Sequence, residues 1–374
     1  MKCLIIKLVA LACAAMFFVG PASAEKRVVK IVYANYLGLK HTTNPTLEKF
    51  FERVEKETNG SVVWEPHFAS SLLGPKDIPA GVRDGIADAG YFVGGYVPSE
   101  MPVDNFLGDF SMMNDDALAM TGVINELTLL ECDECDNEYR EGFNTQYLGT
   151  YALTDYMFQC KEEYKSLADF QNVKIRGFSG WSELVKAMGA VPVPMAASEM
   201  YEALDRGTIS CATGAITYQK SRSIGEVAHY VILDSLGGSF GNSLINMRLE
   251  KWNELDASEK TVILKNVPKL VTEAAYNYIN GDIAVRKAME AKGNKFYQAD
   301  PDLAKFIKDF RANYIKTDAI ENGKKRGIKN PEKIAASIIE LRAKWDKLLA
   351  DNGRDPETFE RLLWEQVYSK VPVN

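Results

Sequence analysis

Arg176 is the side chain on which recognition chemistry can be built. It ends Val173-Lys174-Ile175-Arg176, a segment that reads as a strand. A planar guanidinium makes paired, charge-assisted hydrogen bonds to a carboxylate and fixes its orientation. At the carboxyl end of a strand facing a cleft, such a group is placed for an anion. The bland alternative is an interdomain ion pair or a place on the surface. Tyr156 and Trp181 are the foremost aromatic wall candidates, because Tyr and Trp pack a ring while offering one donor. Phe178, Tyr36, Tyr91 and Phe240 complete the set. For each of them core packing is an equal alternative.

Catalytic chemistry finds little support. The three histidines, His41, His67 and His229, are scattered, and no H-E-x-x-H, G-x-S-x-G, P-loop or dinucleotide fingerprint occurs. The glycine-rich 90–95 stretch does not match G-x-G-x-x-G, and Asp88, Glu100 and Asp104 form no evident set. The expectation is a binder and not an enzyme, with no metal and no cofactor. Cys132-Asp133-Glu134-Cys135 has C-x-x-C spacing but lacks a thioredoxin-like context and two further zinc ligands. A local disulfide or two free thiols is the reading there. Cys160 and Cys211 fall on two expected strands of one region and are compatible with a second bridge. Three connectivities stay open.

The first 24 residues carry Lys2 and Lys7, an apolar run from Leu8 to Gly20, and Ala22-Ser23-Ala24. This is a charged, then apolar, then small-residue pattern of a cleavable export signal, with cleavage expected after Ala24. Thirteen apolar residues are too few for a membrane span. The chain has 44 basic and 51 acidic residues and a net charge of −7. A leader with two lysines and no acid takes this to −9. Such acidity argues against a nucleic-acid partner. The expected compartment is the periplasm, and the expected state is a monomer.

The elements that must position Arg176 read as α/β. Residues 27–34 form a strand, Asn44-Pro45 opens a helix as N-cap and first turn, and Leu47, Phe50, Phe51 and Val54 line one face up to Gly60. Strands follow at 61–68 and 88–93, with a short helix at 78–86 between them. The pattern restarts with one strand over 148–159, a capping box at Ser166–Asp169, the strand 173–176, a helix over 181–188 and a strand over 191–194. Ser198 is expected to cap the helix 199–205, and 208–212 to be the next strand. A long helix spans 256–292 with a bend at Pro268, and Asn330-Pro331 opens another whose stripe (Ile334, Ile338, Leu341, Trp345, Leu348) reads as core. Strands alternating with helices imply a largely parallel sheet, whose ligands collect at the strands' carboxyl ends. The restart implies two domains joined by crossing strands, with a cleft between.

The stretch Lys174-Ile175-Arg176-Gly177, followed by 189–207, resembles the signature of the periplasmic solute-binding proteins of TRAP transporters, the DctP-type family. Gly85–Gly90 with Gly94-Gly95-Tyr96-Val97-Pro98 resembles the family's first-domain cleft segment. Gly207–Cys211 resembles its Gly-hydrophobic-Asp-Gly strand, and Ile245-Asn246 its return strand. The resemblance implies a two-domain periplasmic binding protein fold, type II-like, with a ligand cleft and a long domain-spanning helix. It implies domain I over 25–153 plus about 241–279, and domain II over about 154–240 plus 280–374. It implies that Arg176 clamps the acid of a small organic anion, a carboxylate or sulfonate with an aromatic or other less polar body. Tyr156, Trp181, Phe178, Tyr36, Val93, Tyr96, Gly214 and Phe240 are the expected companions. The TRAP membrane permease is the implied partner, and a sensor or another transporter is the alternative. Departures from the family matter: Ser210 replaces its usual Asp, Gly214-Ala215 its frequent Asn-Pro, Tyr156 a second Arg of sialic-acid-type members, and Ala197 a common aromatic. One strong cation and few polar partners then favour an acid with a single anionic group.

Overall fold

The computed structural model describes residues 27–373, so the expected export signal and its cleavage point lie outside the described residues. Strand β1 (Val29–Ala34) is followed by helix α1 (Asn44–Glu57), β2 (Val62–His67), α2 (Ile78–Arg83) and β3 (Ala89–Phe92). Leu47, Phe50, Phe51 and Val54 are buried on α1, as their spacing requires. Thr43, not Asn44, stands in the N-cap position; the Asn44 side chain donates instead through Nδ2 to the Gly38 carbonyl at 2.9 Å. The chain then turns helical in a stretch whose pattern carried no clear period: α3 (Pro102–Asp109), α4 (Ala117–Glu126) and α5 (Asp133–Asn137) precede β4 (Thr145–Gly149).

The expected single strand over 148–159 is in fact two. β4 belongs to the first sheet and β5 (Tyr156–Cys160) to the second. Residues 150–155 run between the sheets beside a returning segment. The Leu153 amide donates to the Ser239 carbonyl at 3.0 Å, and Asp155 bridges Gly238. Gly238 permits this approach: an added Cβ would meet the Leu153 carbonyl oxygen at 2.1 Å.

The second sheet continues with β6 (Lys174–Arg176), α6 (Gly180–Ala187), β7 (Val191–Val193), α7 (Met200–Asp205), β8 (Cys211–Ala215), α8 (Tyr218–Ser221) and β9 (Tyr230–Ile232). Ser198 does not cap α7. A 3-10 turn over Ala197–Glu199 leads in, and the Glu199 carboxylate accepts the Ala196 amide at 2.9 Å. The strand expected at 208–212 begins three residues later, because Gly207 (φ +70°) and the Ile209 amide are still closing the helix turn. β10 (Ser243–Arg248) returns to the first sheet. After α9 (Leu249–Glu254) comes α10 (Ala257–Ala291), 35 residues or about 50 Å long. Its cap is Asp256, whose carboxylate accepts the Ser258 and Glu259 amides at 2.8 and 2.9 Å. β11 (Lys295–Tyr297), α11 (Pro301–Tyr314), α12 (Asp318–Lys325), α13 (Pro331–Asn352) and α14 (Pro356–Gln366) complete the chain.

The five-stranded sheet has the order β2-β1-β3-β10-β4, parallel except for its pairings with β10. The six-stranded sheet has the order β11-β9-β5-β8-β6-β7, in which β5 runs against β8 and β9. α10 touches α1, α4 and α14 beside the first sheet and α8 and β11 beside the second, so one continuous helix spans both. Residues 280–374 do not all side with the second sheet. α12 packs on α3, α13 on α4 and α14 on α10. The anchor is Trp345, fully buried, whose indole lies where Gly122 has no side chain and donates to Glu126 at 2.9 Å. Helical periodicity finds such a stripe but cannot say which core receives it.

Two disulfides close, Cys132–Cys135 and Cys160–Cys211. The second joins directly opposed residues of β5 and β8.

Candidate functional site

The cavity of interest lies between the two sheets, at the carboxyl ends of β1, β3 and β6 and the start of β5. Past β1 come Tyr36 and Leu37, and past β3 come Val93 and Tyr96. Tyr156 opens β5, Phe178 follows β6, Tyr218 opens α8 and Arg222 follows it. Tyr151, Leu153, Ser239 and Asn242 come from the crossing segments, and Tyr278 from α10. Open α/β sheets place ligands at such strand ends. The sheets approach closely: the Tyr96 hydroxyl accepts the Ala197 amide at 3.0 Å, and the Ser179 hydroxyl donates to Asn105 Oδ1 at 2.7 Å. Gly95 allows this, since an added Cβ would meet the Phe178 ring at 2.6 Å.

The walls are aromatic. Tyr36 stacks on Tyr91 with ring centroids 5.5 Å apart, and Tyr96 meets Phe178 at 5.7 Å. The hydroxyls of Tyr156 and Tyr218 are 3.0 Å apart. Burial raises the pKa values of Tyr36, Tyr91, Tyr156 and Tyr278 well above the ordinary value, and that of Tyr151 to about 12. All are therefore neutral phenols at physiological pH.

Arg176 is fully buried behind this wall. Its Nε donates to the Met195 carbonyl at 3.2 Å and its Nη1 to the Thr213 carbonyl at 3.1 Å, while the buried Nη2 has no partner. The guanidinium lies 4.5 Å from the centroid of Phe178, an aromatic face that favours a cation. No carboxylate pairs with it among the described residues, so the ion-pair alternative for Arg176 does not hold.

A second guanidinium, Arg222, was not singled out from sequence. It stacks 4.5 Å over Tyr218, four residues earlier, and its buried Nε has no partner. His41 faces it from the first-sheet side. Burial, and secondly the Arg222 charge, hold this imidazole well below its ordinary pKa, so it is neutral.

The expected site residues divide into two layers. Tyr36, Val93, Tyr96, Tyr156 and Phe178 line the cavity, with Tyr91 beside them. Arg176, Trp181, Gly214 and Phe240 do not line it. Trp181 is fully buried, stacks behind Tyr156 at 4.6 Å and donates to the Leu236 carbonyl at 2.9 Å. Gly214 supports Tyr218, whose ring would lie 2.4 Å from a Cβ there. The backbone amide of Phe240 donates to the Ser111 hydroxyl at 2.9 Å. The Tyr218-x-x-x-Arg222 spacing, just past β8, was the available signal for the missed cation.

The Gly94–Tyr96 turn is held from below. Asp104 accepts the Gly94 amide at 2.7 Å and the Tyr139 hydroxyl at 2.8 Å. Glu138 accepts the Val103 and Asp104 amides at 2.6 and 2.8 Å. Burial pushes Asp104 up to about 6 and Glu138 up to about 8, the latter helped by the charge of Asp104. Among the described residues no group of His, Cys, Asp and Glu could hold a metal ion, and no helix is long and apolar enough to cross a membrane.

Two sheets that meet over a cavity at their strand ends, joined by crossing segments and one long helix, define a two-domain solute receptor. The family model described as bacterial extracellular solute-binding protein, family 7 (DctP) matches residues 33–319, and the chain belongs to this family, the solute-binding proteins of TRAP transporters. Solved structures agree in fold. A marine metagenome TRAP solute-binding protein specific for aromatic acid ligands, in complex with 3-hydroxybenzoate, is 22% identical with a TM-score of 0.75, covering 86% of this chain and 99% of its own. A Rhodoferax ferrireducens T118 protein with copurified benzoate is 22% identical with a TM-score of 0.74, over 86% and 99%. A Bordetella bronchiseptica protein with bound mandelate is 21% identical with a TM-score of 0.71, again over 86% and 99%.

Proposed function

We propose that this receptor captures a small organic acid in the aromatic cavity, with Arg176 as the group that draws the carboxylate in. The observation that carries the reading is a buried guanidinium with one donor unspent and no acid beside it. A buried charge without a counterion is costly, and an anionic ligand supplies the missing partner. Aromatic walls suit a flat body, and the solved relatives that hold benzoate, 3-hydroxybenzoate or mandelate support an acid of that kind.

The mature chain begins at Glu25, acts in the periplasm as a monomer and binds no nucleic acid. The two sheets and their helices act as the two domains, which close over the acid and exclude water, strengthening each polar contact. The closed form docks on the TRAP permease and releases the ligand chemically unchanged. Because Arg176 stands behind Phe178, the carboxylate reaches Nη2 after a small shift of that ring.

Calorimetry against carboxylates and sulfonates, with benzoate and mandelate included, tests this. Arg176→Ala is expected to lose roughly 2–5 kcal/mol, about 30-fold to several thousand-fold in affinity. Arg176→Lys, which keeps the charge without the fork, should lose less. A folded Arg176→Ala protein that binds as tightly as the parent overturns the assignment.

A further inference from the structure

We propose that the Cys132–Cys135 bridge is a thiol–disulfide exchange site, and that its opening by a dithiol loosens the support beneath the Gly94–Tyr96 turn. The bridge is the substrate of exchange and not its catalyst. Only the consequence for acid affinity rests on the organic-acid reading above.

The two bridges of the chain are held differently. Cys160 and Cys211 oppose each other on β5 and β8, in the interior of the six-stranded sheet, and both are fully buried. Reaching that sulfur pair requires the two strands to part. Cys132 instead lines a small cavity of about 90 Å³, beside Glu131, Asp133, Glu134, Lys333 and Ser337. Glu131, Asp133 and Lys333 are exposed, so this cavity meets solvent. Cys132 keeps 7% of its surface exposed and Cys135 1%, which makes Cys132 the more open to attack.

The segment around this bridge has little else to hold it. α5 is 5 residues long, with π-helical turns at Leu127–Glu131 before it and Glu138–Gly142 after it. So short a helix gains little from cooperativity, and interrupted helical geometry of this kind is frequent at functional sites. The bridge closes the first turn, where the Cys135 amide donates to Cys132 Sγ at 3.1 Å. Opening one such turn takes far less free energy than global unfolding.

What the turn carries reaches the cavity wall. Glu138, three residues past Cys135, accepts the Val103 and Asp104 amides at the start of α3. The Tyr139 hydroxyl donates to Asp104, and Asp104 accepts the Gly94 amide. On the other side Glu134 accepts the Lys329 amide at 2.7 Å, just ahead of α13. One covalent bond braces the carboxylates that receive the first amides of two helices.

The exchange balances with a dithiol as reductant. Its thiolate attacks Cys132 Sγ, the S–S bond breaks, and Cys135 leaves as a thiolate. The second thiol then displaces Cys132 from the mixed disulfide. The dithiol is oxidised to a disulfide by two electrons, and its two protons end on Cys132 and Cys135. Glu131, Asp133, Glu134 and Asp136 give the surroundings a negative charge that Lys333 offsets only in part. An anionic thiol is therefore repelled more than a neutral one.

The test titrates mature, folded protein with dithiothreitol, quenches with N-ethylmaleimide and locates the labels by peptide mass spectrometry. Cys132 and Cys135 should be alkylated while Cys160–Cys211 stays closed. At equal thiolate concentration, 2-mercaptoethanol should form the mixed disulfide at Cys132 at least five-fold faster than glutathione. Hydrogen exchange at the Gly94, Val103 and Asp104 amides should speed ten-fold or more, both in the reduced protein and in the double variant Cys132→Ser, Cys135→Ser. Affinity for benzoate and mandelate should fall three-fold or more in both. Alkylation of all four cysteines together, or only in step with urea unfolding, overturns the exchange site. Unchanged amide exchange after opening overturns the coupling to the turn. If neither acid binds the parent protein, the organic-acid reading is what fails, and alkylation and amide exchange still decide this proposal.

Discussion

Asp104→Asn should flatten the pH dependence of stability between about pH 4 and 7. In the native protein the Asp104 carboxylate is buried, and it receives only the Gly94 amide and the Tyr139 hydroxyl. Burial dominates and lifts its pKa from 3.8 to about 6. A folded-state pKa above the unfolded one means that the folded chain holds a proton the unfolded chain has released. The stability from this group is therefore full below about pH 4 and is lost as pH rises through 6. At about 1.4 kcal/mol per tenfold, the gap corresponds to roughly 3 kcal/mol. Glu138, lifted to about 8, extends the decline toward neutrality in the same direction. An asparagine at 104 can accept the Gly94 amide through its carbonyl and donate to the Tyr139 oxygen through its amide, so the turn keeps both contacts without a charge. Removing that charge also relieves Glu138, which should titrate lower. Urea unfolding followed by circular dichroism from pH 4.5 to 8 reads the effect as the difference between parent and variant. Asp109 and Asp282, both raised to about 6 by burial, slope the two curves alike and cancel. Parallel curves for the two proteins would refute the placement of a buried, proton-retaining carboxyl beneath the Gly94 turn.

Replacing Cys160 and Cys211 together by serine opens a loop with sequence separation 51 and should cost about 2–4 kcal/mol, read as a lower urea midpoint. With both bridges closed, mature protein unfolded without reductant should present no thiol to a thiol reagent. Gly237→Ala should be strongly destabilising, on the order of 3 kcal/mol, because φ is +78° and a Cβ would fall 2.0 Å from the Ser111 carbonyl oxygen; thermal melting checks it. N-terminal sequencing of periplasmic protein should begin at Glu25, and an intact Met1 or a lipid on Cys13 would count against it.

The sequence by itself determined the alternating elements, the amphipathic face of α1, the long helix from 256 and the Arg176 strand end, because each is written within a few residues of chain. Hydrophobic period and capping chemistry act locally, so they survive without knowledge of the fold. Tertiary structure alone decided where 148–159 divides, since the same apolar run serves either sheet until 235–242 pairs with its middle. It decided that Trp345 enters the cavity left by Gly122, and that Trp181 and Phe240 stand behind the site. It also decided the charge of the cavity. Arg222 and His41 are 181 residues apart in the chain, and whether that arginine is paired depends on which acceptors the folded chain brings to it. An unpaired cation is a property of its three-dimensional neighbours, and no spacing along the chain records their absence.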